Sequence, residues 1–315
     1  MLNKKALHAY IFGLCAWALA IILSLKFGAT TDADIAVIVQ LRLPRVLLAS
    51  AVGIGLSVAG ASLQALFSNP LCEPYTLGIS SGAALGAVFG ASLGFHWIFG
   101  GLTGTAFAGA LLFTALLFVV AHRPGVTTLS LLLAGVMLGF LGSSLVALWM
   151  ALSDTNGIQG ALLWLLGDLS RARMGGALFT LAAAFALTLA LWLRWRELDA
   201  LLMGEEGALT LGIAVGKVRA SLIFTIALLV AICVSASGMI GFIGLVIPHF
   251  VRRLVGSLHL QLLPLCAIWG AAALTAADVT ARVLARPYDL PVGIVTALVG
   301  APLFLWILFS RREAS

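Results

Sequence analysis

The chain has 315 residues, of which 62% are hydrophobic and only 10% are charged. Ordinary soluble domains carry roughly 25% charged residues, so this composition excludes a soluble globular protein. The net charge of +6 does not indicate nucleic-acid binding, because the 18 lysines and arginines lie between apolar runs and form no patch with interleaved aromatic residues.

Apolar segments follow one another along the chain, separated by charged or Pro/Gly-containing breaks. They cover residues 9–26, 46–67, 76–95, 104–121, 128–150, 175–194, 220–240, 242–256, 261–283 and 291–309. A bilayer core about 30 Å thick requires roughly 20 apolar residues per helix, so we predict an all-α, polytopic bundle of about ten transmembrane helices. We expect residues 1–315 to form a single transmembrane domain.

Two of these segments, 9–26 and 242–256, differ from an ordinary full membrane span. Residues 9–26 follow Lys4 and Lys5, as a signal peptide would, but we expect a retained first span because the next span needs it for orientation. The eighth segment, 242–256, is short and contains Pro248, which predicts a kinked or partial crossing.

Orientation is predicted from the positive charges on short loops. With both termini in the cytoplasm, eleven of the 18 cations fall on the inner side. These are Lys4, Lys5, Arg123, Arg194, Arg196, Lys217, Arg219, Arg252, Arg253, Arg311 and Arg312. The rest fall on the outer side, which is more than the rule predicts: Lys26, Arg42, Arg45, Arg171, Arg173, Arg282 and Arg286.

The first polar motif in chain order is Leu41-Arg42-Leu43-Pro44-Arg45. Its two arginines would share a face of a helix, and Pro44 suits a first helical turn. They could snorkel at the membrane interface. Alternatively, together with Arg282, they form an outer positive surface that meets carboxylates on a partner.

Asn69-Pro70-Leu71-Cys72-Glu73-Pro74 separates the second and third spans. Two prolines this close break a helix, and a broken backbone at membrane depth needs protein or a water-filled cavity around it. The segment is therefore either a plain interhelical turn or the lining of the inner mouth of a pathway.

The third span carries a glycine every four residues, at Gly78, Gly82, Gly86, Gly90 and Gly94. Small residues at this spacing let helices approach closely in a membrane. Four residues exceed one helical turn, so the strip winds around the helix and we expect it to contact more than one neighbour.

The longest polar break is 194–219. Here we predict two short helices around a tight acidic turn at Gly204-Glu205-Glu206-Gly207, presenting an apolar knob to a cytoplasmic partner; a solvated connector is the alternative. Gly212, Gly216 and Lys217 lack the spacing of a phosphate-binding loop, and Val218 stands where that loop needs Ser or Thr. We therefore expect a separate subunit to hydrolyse any ATP.

Ionisable residues within the spans are scarce, namely Asp278 and His249. Proton-driven carriers usually need such residues along their pathway, so the scarcity argues against a secondary transporter. No arrangement typical of an enzyme or a metal site occurs. We expect the four widely spaced cysteines, Cys15, Cys72, Cys233 and Cys266, to be buried structural thiols.

Several long motifs in order resemble one known family. They are LRLPR (41–45), QALFSNPLCEP (64–74), LGISSGAALGA (77–87), LLLAGV (131–136), LLWLLGDL (162–169), GEEGALTLG (204–212), GFIGLVIPHFVR (241–252), ADVTAR (277–282) and LPVGIVTALVGAPLF (290–304). The chain resembles the FecCD/BtuC-type permeases of ABC importers for iron-siderophores, haem and cobalamin, over nearly its whole length.

The resemblance implies a multi-pass inner-membrane subunit that forms a homodimer or, in some members, a pair with a similar permease. Its further partners are two cytoplasmic ATPases and a periplasmic binding protein. It implies no cofactor bound by this chain, ATP being used by the partner subunit. Its coupling segment is 196–219, with Gly204, Glu205, Glu206, Ala208, Leu209, Leu211 and Gly212 fitting the ATPase. Docking to the binding protein matches Arg42, Arg45 and Arg282, and the inner gate matches Asn69, Pro70, Leu71, Thr127 and Thr128.

The resemblance leaves the substrate open. We expect a ferric siderophore first, with haem or cobalamin as alternatives, moved by alternating access. A proton-coupled transporter of a small amphipathic solute is the rival function, and a passive channel and an intramembrane enzyme are further ones. Arg171, Arg173 and Arg286 receive no role from the resemblance.

Overall fold

The computed structural model describes residues 4–28, 34–92, 101–123, 125–153, 162–286 and 288–309. Throughout these ranges the regular structure is helical, which confirms the all-α prediction. The helices of the first half are α1 (Lys4–Lys26), α2 (Leu43–Leu66), α3 (Ile79–Ser92), α4 (Leu102–Ala121) and α5 (Thr128–Leu152). Those of the second half are α6 (Met174–Leu193), α7 (Trp195–Leu201), α8 (Gly204–Thr210), α9 (Val215–Ser237), α10 (Ile243–Val255), α11 (His259–Leu284) and α12 (Val292–Phe309).

Each of the ten predicted apolar segments overlaps one of these helices. Within the described residues, seven helices are long and apolar enough to cross a membrane; α3, α10 and α12 are not among them. The short α10 contains Pro248, as expected for the eighth segment. The chain is therefore a multi-pass helical membrane protein, while the count of about ten spans and the cytoplasmic termini stay predictions.

The second helix is the centre of the bundle, since α2 packs against α1, α6, α9, α10 and α11. Small residues permit this packing. A Cβ at Gly53 would overlap the carbonyl oxygen of Gly270 in α11, and a Cβ at Gly60 would overlap that of Gly244 in α10. The Ser57 hydroxyl also donates to the Cys266 carbonyl oxygen across 2.7 Å. In a bilayer the hydrophobic effect does not drive helices together, because lipid is as apolar as their side chains. Close backbone packing and hydrogen bonds therefore hold these helices in contact.

The glycine strip of the third span contacts two neighbours, as its pitch predicts. Gly82 and Gly86 lie against Gly109 of α4, and Gly90 lies against a threonine of the same helix. Gly78, at a φ of +72°, lies one residue before α3 and faces Gly135 of α5. Gly94, the fifth glycine of the strip, lies outside the described residues.

The predicted break between the second and third spans is present. Helix α2 ends at Leu66, and the chain resumes with a 3-10 turn at Pro74–Leu77. The Asn69 side chain accepts a hydrogen bond from the Leu71 N–H at 2.9 Å, and the Tyr75 hydroxyl accepts one from the Ile240 N–H. This segment thus folds against the residues that precede α10 and does not continue either helix.

The expectation for the cysteines is correct for three of them and wrong for Cys15. Cys72, Cys233 and Cys266 are buried, whereas Cys15 of α1 is exposed. An apolar run in a membrane protein faces either lipid or protein, and composition alone does not distinguish the two.

Candidate coupling and gating site

Two short helices, α7 and α8, form the hairpin predicted within residues 194–219. The predicted acidic turn at 204–207 is wrong in its position, because Glu205 and Glu206 lie in the first turn of α8. Carboxylates are favoured there by the helix dipole. The chain instead bends at Leu202 and Met203, before Gly204 at a φ of +83°.

The hairpin exposes an apolar surface, as predicted. Met203, Leu209 and Leu211 have 69%, 59% and 60% of their surface exposed. Ala208 departs from its expected place on that surface, because it is fully buried. It therefore packs inward and does not offer a contact to a partner. Gly212, at a φ of +77°, follows the end of α8.

The hairpin lies next to the segments predicted to form the inner gate. They share a cavity of about 370 Å³, which is lined by Leu66, Phe67, Ser68, Asn69, Thr127, Thr128, Leu129, Leu132, Leu201, Gly204 and Glu205. The structure thus brings Asn69, Thr127 and Thr128 together with Gly204 and Glu205. Pro70 and Leu71 are exposed and do not line this cavity.

A polar cluster links α8 to Thr128, the first residue of α5, and to Val126 just before that helix. The Arg219 guanidinium donates to Glu205 Oε1 at 2.9 Å, to the Thr128 hydroxyl at 3.3 Å and to the Val126 carbonyl oxygen at 3.0 Å. The Thr128 hydroxyl in turn donates to Glu205 Oε1. The Arg219 side chain is 12% exposed. We call Arg219, Glu205, Thr128 and Val126 the α8 cluster.

Other contacts fix the surroundings of the cavity. The Ser68 hydroxyl donates to the Leu201 carbonyl oxygen at 3.0 Å, which connects the end of α2 with α7. Thr127 caps α5 by accepting a hydrogen bond from the Ser130 N–H. Asp199 of α7 accepts a hydrogen bond from the backbone N–H of His259 at 2.8 Å, at the start of α11. The hairpin and the cavity are therefore tied to the ends of long helices.

The segment leading away from the cavity contains two buried groups. Burial raises the pKa of the Glu73 carboxyl above its ordinary value, although a hydrogen bond from the Phe242 backbone opposes the shift. Burial also raises the pKa of the Cys72 thiol to about 11. The low-dielectric surroundings therefore favour the neutral form of both groups.

A second cluster lies at the opposite end of the bundle, which we call the arginine end. Arg42, Arg45 and Arg282 do not form the expected positive surface, because each of the three is at most 8% exposed. Arg42 donates to the carbonyl oxygens of Leu25 and Lys26 at 2.8 Å. These arginines therefore lie inside the fold, and Arg42 holds the end of α1.

Two aspartates account for this burial. Arg45 pairs with Asp278 and Asp289, both at 2.8 Å, and Arg282 pairs with Asp278 at 3.0 Å. The Asp278 side chain is fully buried, whereas that of Asp289 is 37% exposed. A charged residue at membrane depth is costly unless it is paired, so Asp278 keeps two arginines in the bundle.

The described residues contain no group of three or more His, Cys, Asp or Glu side chains that could hold a metal ion. His249 of α10 packs edge-on against Phe304, with ring centroids 6.1 Å apart. Asp199 also makes a 2.6 Å contact with the ring of His259.

Sequence reasoning missed the partners of the predicted residues. Arg219 was assigned only an inner-side charge, and Asp289 was assigned no role. A signal for Arg219 existed in its position beside the seventh apolar segment, where a cation needs a partner or must snorkel. Its pairing with Glu205, 14 residues earlier, depends on how the hairpin folds back.

Comparison with known proteins places these features in one family. The model of the FecCD transport family matches residues 6–310. The chain is 40% identical over 292 residues to the vitamin B12 import system permease protein BtuC of Vibrio cholerae serotype O1, a match that covers 91% of this chain and 87% of that protein. It is 37% identical over 290 residues to the hemin transport system permease protein HmuU of Yersinia pestis, covering 90% and 86%.

A solved structure agrees with the fold. It is described as an inward-facing conformation of a metal-chelate type ABC transporter. It superposes with a TM-score of 0.86 at 34% identity, and the match covers 96% of this chain and 99% of the other.

Proposed function

Since the chain belongs to the FecCD transport family and is a transport subunit, not an enzyme, we propose that it imports a metal chelate across the inner membrane by alternating access. The observation that carries this proposal is the family match over residues 6–310, which includes both ends of the bundle. ATP is used by a partner subunit, and this chain binds no cofactor of its own.

The hairpin and the cavity beside it support an importer driven by a separate ATPase. We propose that the exposed apolar residues of the hairpin, Met203, Leu209 and Leu211, enter a cleft on each of two cytoplasmic ATPases. Their motion would reach the gate directly, because Asn69, Thr127 and Thr128 line the same cavity as Glu205. Ligand release requires two states of different affinity, which a gate moved by the ATPase would provide.

At the arginine end we propose docking of a periplasmic binding protein through Arg42, Arg45 and Arg282. Because these arginines are buried and already paired, a docking carboxylate must first displace one of their partners. The Arg45–Asp289 pair includes a carboxylate that is 37% exposed, so a carboxylate of the binding protein would reach Arg45 by replacing Asp289. Docking would thus exchange one ion pair for another and would not fill an open positive surface.

The substrate class that we propose is a metal chelate of the size of a corrinoid, a haem or a ferric siderophore. Relatives named for vitamin B12 and for hemin make cobalamin and haemin necessary candidates beside the ferric siderophore expected from the sequence. We also propose a second permease copy as partner. In several long helices, including α5, most residues of the apolar stretch are not buried by the rest of this chain. Lipid or a second copy would cover these residues.

Uptake into proteoliposomes tests the proposal. The chain is reconstituted with its ATPase, with binding protein on one side and ATP on the other, and cyanocobalamin, haemin and ferrichrome are offered in turn. We expect accumulation of one probe that requires both ATP and binding protein. Accumulation that instead collapses with a protonophore while ATP is constant would establish the proton-coupled rival, and flux without any energy source would establish a channel.

A further inference from the structure

Arg219 has no role in the function proposed so far, although the α8 cluster that it holds together is a direct polar link between the hairpin and the gate. Glu205 belongs to the hairpin, Arg219 to the start of α9, and Val126 and Thr128 to the segment that enters α5. Three separate parts of the transporter thus meet at one guanidinium group. Arg219 is therefore placed to transmit movement from the hairpin to the residues at the start of α5.

We propose that Arg219 is a positioning residue that makes the gate segment at 126–128 follow the movement of α8. The inference rests on the importer function proposed above. Arg219 donates from Nη1 to Glu205 at 2.9 Å and from Nη2 to the Val126 carbonyl oxygen at 3.0 Å. A planar guanidinium transmits displacement between two such partners better than a flexible ammonium, because its donors have a fixed geometry.

Burial strengthens the link. The Arg219 side chain is 12% exposed and that of Glu205 is 44% exposed, so water screens the pair less than it screens a fully exposed ion pair. Val126 contributes a backbone carbonyl, which no side-chain substitution removes. When α8 moves, separating Arg219 from either partner would leave a charge or a carbonyl unsatisfied, and the cluster therefore moves as one body.

The cavity beside the cluster gives this movement an effect. Thr127 and Thr128 line the cavity together with Asn69. Asn69 is fixed by its own segment, since its backbone N–H donates to the Gln64 carbonyl oxygen at 3.1 Å. Displacement of residues 126–128 with α8 would change their distance from Asn69 and therefore the width of the cavity. The cluster would thus set whether ATP binding opens or closes this passage.

The test measures coupling and not only activity. In a background without native cysteines, Leu129→Cys places a thiol on the cavity wall, where Leu129 is 65% exposed. The reaction rate of that thiol with a maleimide is compared with and without ATP and vanadate, alongside ATPase activity and uptake of cyanocobalamin, haemin and ferrichrome. For Arg219→Met we expect ATPase assembly and hydrolysis to persist, while uptake and the ATP-dependent change in labelling at position 129 fall about tenfold.

The control is Arg123→Met, which removes an exposed cation outside the coupling segment and should leave uptake and the response at position 129 unchanged. Arg219→Lys should restore only part of the loss. In a double-mutant cycle, Glu205→Gln with Arg219→Met should lose little more than either change alone, because both break one link. Multiplied losses would indicate two unrelated defects and would overturn the inference.

The outcomes separate this inference from the function on which it rests. If the wild type shows no ATP-dependent uptake of any probe, the importer proposal fails. If the wild type imports and Arg219→Met imports equally well, with the same response at position 129, the importer stands and the role of Arg219 is refuted. If Arg219→Met protein is absent from the membrane, Arg219→Lys becomes the test of the inference. Full wild-type coupling in Arg219→Lys would refute the role of the planar guanidinium.

Discussion

At the scale of single residues, two aspartates that pair with the same arginine should differ sharply in their importance. Asp278→Asn leaves Arg45 and Arg282 inside the bundle without the carboxylate that both contact. We expect a loss of about 3–5 kcal/mol in unfolding free energy, as for other broken buried pairs. Asp289→Asn removes a partly exposed partner and should cost at most about 1 kcal/mol. Thermal unfolding of the two purified variants in detergent measures the difference.

The same pair of variants tests how the binding protein docks. If its carboxylate replaces Asp289, then Asp289→Asn should bind the binding protein more tightly than the wild type, because the internal competitor is gone. Affinity is measured with the permease in lipid nanodiscs and immobilised binding protein. Weaker binding by Asp289→Asn would mean that Asp289 supports docking and does not compete with it.

Glu73 should make stability depend on pH. Burial raises the pKa of its carboxyl in the folded chain, so between its ordinary pKa of about 4.3 and the raised value the folded state binds more protons than the unfolded state. Stability from this residue is thus fully present below the ordinary pKa and is lost as pH rises through the raised one. Glu73→Gln should remove that slope in melting temperatures recorded across the acidic and neutral range.

The control for this measurement is Glu206→Gln, which removes an exposed carboxylate. It should keep the wild-type slope. A slope that disappears in Glu206→Gln but persists in Glu73→Gln would assign the pH dependence to the hairpin instead.

At the scale of helices, glycine contacts should decide whether the bundle assembles. Gly60→Ala adds a Cβ where the Gly244 carbonyl oxygen already lies, so α2 and α10 must separate. Overpacking of this kind costs about 1–3 kcal/mol, and a rigid backbone contact lies at the upper end. Gly216→Ala meets nothing within 4 Å and should gain up to about 1 kcal/mol from helix propensity. Unfolding in detergent compares the two alanines.

The helices themselves could be predicted because hydrophobic length and Pro/Gly breaks determine them locally. The ten apolar segments, the break at 69–74 and the winding glycine strip all depend on residues close in sequence, and each has its counterpart in the structure. The turn of the hairpin was misplaced by a few residues because Gly204 suits a turn and a helix start equally well. Neighbouring residues do not distinguish these two uses of a left-handed glycine.

The partners of the charged side chains could not be predicted from neighbouring residues in the sequence. Arg45 meets Asp278 across 233 positions, so the sequence showed three arginines but not that aspartates from α11 and the following loop neutralise them. Exposure of Cys15 and burial of Ala208 likewise depend on which helix covers each face. The candidate site could thus be predicted as a set of segments, and the ion pairs within it required the tertiary structure.

At the scale of the whole molecule, the two clusters lie at opposite ends of the helices, which makes sidedness testable. Helix α9 begins at Val215 beside the α8 cluster and ends at Ser237, whose carbonyl oxygen accepts a hydrogen bond from the Asp168 N–H at 2.8 Å. Its 23 residues are about 34 Å long, which is enough to cross the bilayer core. We therefore expect Lys217 and Arg171 to lie on opposite sides of the membrane.

We expect Lys217 in the cytoplasm and Arg171 outside, because the coupling hairpin must reach an ATPase and the loops at that end carry most of the lysines and arginines. The experiment places a single cysteine at either position in a cysteine-free background and adds a membrane-impermeant maleimide to intact spheroplasts. Arg171→Cys should react at once, and Lys217→Cys only after the membrane is opened. The reverse pattern would put the hairpin on the side without ATP, where no cytoplasmic ATPase can bind. Because the proposed importer requires contact between the hairpin and that ATPase, this result would contradict the proposed function.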